Sequence, residues 1–315
     1  MKWAYALNQW KPTYDSFARR EQYERALKTV SVCGFRAVEL NCGSGRWEPV
    51  GNREMLQANH GSLRGFRDFL HSCGIDAVSS YFLDPGTFQS STDGMPLSAA
   101  NPRHCQAIVT LAREYLEMLP ELGGTRLVVR PAPSYWQIGT LAAEVLEYVA
   151  ECWNAVAALA ASNGVQVSLH VDCLSSIRTE ETIEQVLQRT NPVSVGLTID
   201  TAEQTIAGLD PLAVYERFSS RVNHVQFKDV VLRDERGEAL EKNAEMRFLS
   251  GGGSRNVPRW FWEMGTPGGL VNFAALKSRM EARGYSGWTV IESDQSPYPA
   301  TSAMLNSWYV KHVLG

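Results

Sequence analysis

No apolar run in this chain approaches the ~20 residues needed to cross a bilayer. The opening stretch, MKWAYALNQW, lacks the long apolar region and small-residue cleavage site of a secretory leader. The expectation is a soluble, cytoplasmic protein with no membrane partner. The six cysteines (Cys33, Cys42, Cys73, Cys105, Cys152, Cys173) form no CxxC pair and mostly lie in apolar segments, which favours reduced core thiols over a disulfide framework. Thirty Lys and Arg against 34 Asp and Glu leave a net charge of −4. That provides no basic footprint for nucleic acid. No GxGxxG follows the first apolar run, which argues against a dinucleotide-binding open sheet, and no glycine-rich phosphate loop is present. A non-phosphorylated substrate is therefore favoured. Histidine is scarce, with only six.

What is present is an alternation. Short apolar runs predict strands over 3–7, 37–40, 75–82, 125–130, 165–171, 195–199, 222–227 and 288–292. Between and after them, helical patterns fall at 21–32, 62–72, 104–119, 141–161, 179–189, 210–219, 273–283 and 302–313. Runs such as LVV and WTVI are continuously apolar, as expected of strands covered on both faces. Gly34, Gly74, Gly164 and Gly284 stand where helices should stop. Eight strand–helix units in 315 residues, with no dividing linker, predict one α/β domain over 1–315, a single (β/α)8 TIM barrel. Its two long loops, 84–102 and 232–269, both follow strands and so belong to the active face.

In a barrel the carboxyl ends of the strands converge on one mouth. Those ends supply Asn8, Trp10, Glu39, Asn41, Tyr81, Arg130, His170, Asp172, Asp200, His224, Lys228, Glu292 and Asp294. His224, Gln226 and Lys228 alternate along one strand and share a face. His170, Asp200, His224 and Glu292 end four successive strands. Two imidazoles and two carboxylates suit one divalent ion, whether Mn²⁺, Co²⁺, Zn²⁺ or Mg²⁺. Taken singly, each is equally readable as a satisfied polar residue of the mouth. Lys228 can neutralise a developing enolate oxygen, or simply pair with Asp229. Arg130, before a Pro-Ala-Pro segment, can clamp an anionic group or form a structural ion pair. Trp10, Tyr81 and Trp260 offer aromatic faces to a sugar ring. The segment SGGGSRNVPRWFWEMG, which carries Trp260, reads as a lid or as a partner-docking surface.

Together these pieces are similar to the sugar phosphate isomerase/epimerase group, the xylose-isomerase-like barrels that include inosose dehydratases and ketose 3-epimerases. The group's GLxxDTxH pattern is seen as GLTIDTAE, its HxHxKD as NHVQFKD, its GxGxVDF as GTPGGLVNF and its VVE as VIESD. The resemblance implies Asp200, His224 and Glu292 as metal ligands. Two departures stand out. The usual strand-five glutamate is His170, in LHVD, and the histidine of DTxH is Glu203.

The function implied is a metal-dependent isomerase or epimerase of a sugar or cyclitol bearing a carbonyl beside a hydroxyl. It would work through α-proton abstraction and an enediolate. The base is expected to be Glu292, then Asp172, then Glu203. The same chemistry with expulsion of a β-substituent gives a lyase, such as an inosose dehydratase or an enzyme cleaving 3-oxo-glycosides, and the missing strand-five glutamate favours that outcome. Two readings of other classes stand beside it. One is a DNA-repair endonuclease on the same barrel, which the few strand-end histidines and the absent basic patch oppose. The other is a non-catalytic or partner-dependent subunit docking through Trp260; a homo-oligomer is a further expectation.

Overall fold

Each apolar run is long enough for one strand only, and its side chains need cover on both faces. Closing the sheet meets both demands. The computed structural model describes residues 1–10, 16–42, 51–250, 256–294 and 296–315. Its strands are β1 (Lys2–Ala6), β2 (Ala37–Cys42), β3 (Ala77–Leu83), β4 (Arg126–Val129), β5 (Gln166–His170), β6 (Val195–Asp200), β7 (Val222–Phe227) and β8 (Trp288–Ile291). All eight run parallel and close in the order β1-β8-β7-β6-β5-β4-β3-β2. The expected barrel is the observed one.

The helical layer also follows the sequence, with refinements at the ends. Ser62 and Thr179, read as first helical residues, are N-caps whose hydroxyls accept from Gly65 and Thr182 amides. Gly34 and Gly74 close their helices at φ of 97° and 83°, where a Cβ would be strained. Among the described residues, four α-helices were not anticipated: Arg53–His60, Tyr135–Ile138, Ala244–Ser250 and Thr201–Ile206. Thr201–Ile206 begins directly at the end of β6, and Asp200 caps it by accepting the amides of Ala202 and Glu203 at 3.0 and 2.9 Å.

Strand parity divides the core into two. Tyr5, Val38, Tyr81, Leu127, Leu169, Leu197, Val225 and Ile291 point outward into the helical layer. Many of the inward positions are small or polar. Ala4, Ala6, Ala37 and Val290 form a cluster of their own. Above it Ser168 and Thr198 bond at 2.7 Å, and Glu39 accepts from Ser80 at 2.6 Å and from Gln226 at 2.6 Å. Buried polar groups persist in such an interior because they satisfy one another.

The described parts of the 232–269 loop, 232–250 and 256–269, fold back over the mouth. Asp229–Val230 pairs antiparallel with Phe261–Trp262. Trp260 stacks on Phe248 at 5.2 Å, and both pack with Leu174 from the loop after β5 and with Ala202 and Ile206 from the helix after β6. Residues 251–255 of the segment read as a lid or as a partner-docking surface lie outside the described residues. Trp260→Ala is expected to cost about 3–5 kcal/mol, the range for emptying a buried aromatic site. The loss should be local, so amide exchange should quicken across 229–264 while β1–β4 stay protected. Equal acceleration in those strands would show that the loop is no separate cooperative unit.

Candidate active site

The centre of the mouth is a lysine ringed by carboxylates. Lys228 follows β7 on its inward face and is almost fully buried. Its Nζ lies 2.6 Å from Asp294 Oδ2, 2.9 Å from Glu292 Oε2, 3.2 Å from Asp200 Oδ2 and 3.7 Å from Glu203 Oε1. The Phe261 ring of the lid faces it at 4.4 Å, within cation–π range. Burial opposes the ammonium, but these carboxylates hold its pKa well above the ordinary lysine value. The alternative partner Asp229 is engaged elsewhere, accepting amides of Val230, Gly265 and Val271.

The surrounding groups titrate unequally. Burial raises the Glu292 carboxyl to about 8; Lys228 opposes this, while Asp294 and Asp200 add to it. Burial likewise pushes Glu203 up, against Lys228. Burial also works against the Asp200 carboxylate, yet Lys228, His170 and the Glu203 amide bring it to about 2. The His170 imidazolium is opposed by burial but favoured by its bond to Asp200 and by the charges of Asp172 and Glu203, reaching about 9. His170 Nε2 sits 3.1 Å from Asp200 Oδ2, its ring is held edge-on by Phe82, and Nδ1 is buried without a hydrogen-bond partner. A carboxylate fixing one ring nitrogen while the other stays available is the arrangement of an acid–base histidine.

The structure brings Lys228, Glu292, Glu203, Asp200 and His170 together and separates the others. His224 pairs with Thr198 in the β6–β7 register, whereas Asp200 stands opposite Gln226. His224 is therefore one layer below the Asp200 level, and its Nε2 is 2.9 Å from Glu39 Oε2. Gln226 holds the place of the second histidine of HxHxKD. Asp172 presents both oxygens to Arg130, Oδ2 to Nε at 2.7 Å and Oδ1 to Nη2 at 3.2 Å. Arg130 also meets Glu245 at 2.7 Å and Asp84 at 3.4 Å, so it forms a structural ion-pair network rather than an open anion clamp. Tyr81 points outward, bonding the Gly51 carbonyl at 3.1 Å and packing on Tyr115. Trp10 packs on Tyr5, and Trp260 packs on Phe248 in the cluster with Leu174 and Ile206. Two further residues join the site, Asp294 and Asn8. Asn8 bonds Asp294 and, at 3.3 Å, Glu292 Oε1. Their strand-end positions signalled them, and the adjacency of β1 and β8 completed the group.

The four expected ligands do not form a metal centre in this arrangement. Where Asp200 and Glu292 converge stands Nζ of Lys228, and His224 faces Glu39. Among the described residues no three His, Cys, Asp or Glu side chains are disposed to hold an ion. The donor set present does not fit the divalent cation, and its positive charge is supplied by the chain itself.

A closed parallel barrel with an acid–base cluster at its strand ends defines an enzyme-type (β/α)8 architecture. The chain belongs to the xylose isomerase-like TIM barrel family, whose model matches residues 27–308. It is 28% identical over 297 residues to an inosose dehydratase of Geobacillus thermodenitrificans, covering 93% of this chain and 90% of that one. Identity to the inosose dehydratase of Lacticaseibacillus casei is 23% over 291 residues, covering 88% and 84%. Among solved structures, a probable 3-DHS dehydratase of Bacillus anthracis superposes with a TM-score of 0.72 at 12% identity, over 99% of this chain and all of that one. A D-allulose 3-epimerase of a Methylomonas species gives 0.68 at 16% identity, over 99% and 97%. At these identities the structures establish the shared fold. Among the described residues, no helix is long and apolar enough to cross a membrane.

Proposed function

We propose that this protein is a lyase acting on a ketone of a sugar or cyclitol, removing the proton α to the carbonyl and expelling a β-hydroxyl as water. The observation that carries this reading is the grouping of Glu292, His170–Asp200 and Lys228 within one buried mouth. Glu292 takes the proton from the α carbon. The electron pair moves toward the carbonyl oxygen, where the Lys228 ammonium neutralises the enolate. Asp294, the most exposed of the four carboxylates around Nζ, gives way to that oxygen. As the carbon–carbon double bond forms and the carbonyl is restored, His170 Nδ1 protonates the departing hydroxyl, with Asp200 holding the imidazolium. Elimination needs one base and one acid, which matches a carboxylate just past β8 and an imidazole at the end of β5 in the same mouth. The near full-length inosose dehydratase relatives support the same outcome.

The test is turnover of a 2-oxo cyclitol in D₂O, followed by mass spectrometry and NMR. The expected product is lighter by one water, and recovered substrate carries deuterium at the α carbon. A product of unchanged composition would assign the isomerase or epimerase outcome instead. Turnover with neither exchange nor a primary isotope effect at that carbon would eliminate α-proton abstraction altogether.

A further inference from the structure

Beside the lysine cage lies a larger cavity that the proposed chemistry does not use. It has a volume of about 860 Å³ and is bounded by the 84–99 loop, the segment after β4 and the helix Ala244–Ser250. Arg130 lies at its wall and pairs on the other side with Asp172, two residues past His170 on the same strand path. Arg130 thus links the cavity wall, through Asp172, to the strand path that carries His170.

Three observations define what it can take. First, its charge is spent. Arg130 is bound by Asp84, Asp172 and Glu245, and Ser134 donates to Glu245 at 2.7 Å. Three carboxylates on one guanidinium leave no free cation to attract a phosphate or carboxylate, so the occupant is not an anion. Second, most of the remaining wall is apolar, with Pro85, Leu97, Pro133, Trp136, Ile138 and Met246, beside the uncharged polar Thr87, Ser98, Gln137 and Asn243. Ile138 and Met246 leave 42% and 68% of their surface in water, a cost that an apolar guest would relieve. Third, the Trp136 indole N–H is buried and has no acceptor among the described residues. The volume falls in the upper part of the range of small-molecule pockets, roughly 300–1,000 Å³, well beyond the needs of one polyol ring.

We propose that this cavity is a substrate subsite for a neutral, flat, apolar substituent, an aryl or fused-ring group bearing an acceptor oxygen. The substituent is carried by the sugar or cyclitol whose ring sits at Lys228. The proposal rests on the sugar-ketone reading for its polar half only. The Trp136 face stacks on the ring system, its N–H meets the acceptor oxygen, and Met246 closes over the outer edge.

Calorimetry with 2-naphthyl and methyl β-D-glucopyranoside tests it, alongside 2-naphthol alone. The naphthyl glucoside is expected to bind about tenfold or more tighter than the methyl one. Trp136→Ala and the surface change Met246→Asp should each erase that difference, with thermal melts confirming the fold. 2-Naphthol should bind the native protein and lose at least tenfold in both variants. Equal affinity for the two glucosides, or 2-naphthol binding that both variants retain or that is absent from the native protein, would overturn the subsite. Naphthol binding at these residues without turnover of any sugar ketone would leave the subsite standing and remove the lyase reading.

Discussion

Replacing Lys228 by methionine is expected to be the most damaging single change in the molecule, for stability and activity together. The side chain is long enough to fill the space, but Asp200, Glu203, Glu292 and Asp294 are left around a thioether. Removing one partner of a buried ionic group leaves uncompensated charge and costs about 3–5 kcal/mol. The variant should unfold at lower denaturant and regain part of the loss in acid, where the carboxylates take up protons. Activity should fall by about two to three powers of ten, the effect of deleting a group that stabilises a developing oxyanion. Divalent ions provide a second reading of the same residue. Purified native protein should hold substoichiometric metal, and Mn²⁺ should leave its melting temperature unchanged. In Lys228→Met the vacated carboxylates should accept Mn²⁺ and the melting temperature should rise. A stoichiometric, tightly held metal in the native protein would show that Lys228 moves aside for an ion, and the lysine-based mechanism would fall.

Glu292→Gln should lower kcat by about two or more powers of ten while the fold is kept, as expected for loss of a general base. The pH profile makes the prediction specific. Glu292 must be ionised to accept a proton, and its pKa is near 8, so kcat/KM should climb with pH until about 8. His170 must be protonated to donate, and its pKa is near 9, so the rate should fall above about 9. The outcome is a narrow bell in mildly alkaline solution, and in Glu292→Gln its acid limb should be gone. Stability runs the other way for this residue. The carboxyl has a raised folded-state pKa, so its contribution is full below the ordinary glutamate range and is lost as pH rises through about 8. Glu292→Gln should therefore flatten the loss of stability between pH 5 and 9. A flat activity profile across that interval in the native enzyme would remove Glu292 and His170 from the proton transfers.

Much of this was written locally in the chain. Strand and helix positions come from hydrophobic periodicity and from glycine stops, which depend on neighbours a few residues apart, and eight repeats of one unit leave few ways to close a sheet. Because side chains alternate along a strand, Lys228 was bound to face the same way as Gln226 and His224, and Glu292 the same way as Asp294. The same parity would have turned Tyr81 outward, opposite Ser80 and Phe82. What the sequence could not settle by itself was height and partnership. Whether His224 or Gln226 stands level with Asp200 depends on the register between β6 and β7, which shifts at Leu197/Thr198. Sequence spacing within one strand carries no information about that offset. Asn8 meets Asp294, 286 residues away, only because β1 closes against β8. Arg130 is spent on Asp84, Asp172 and Glu245 because three separate segments fold onto one point, and Lys228 is a buried cation because four carboxylates from two strand ends, a helix and a loop surround it. Local patterning chose the barrel and its inward faces; charge balance inside a low-dielectric mouth, which exists only once the barrel has closed, chose what each side chain does there.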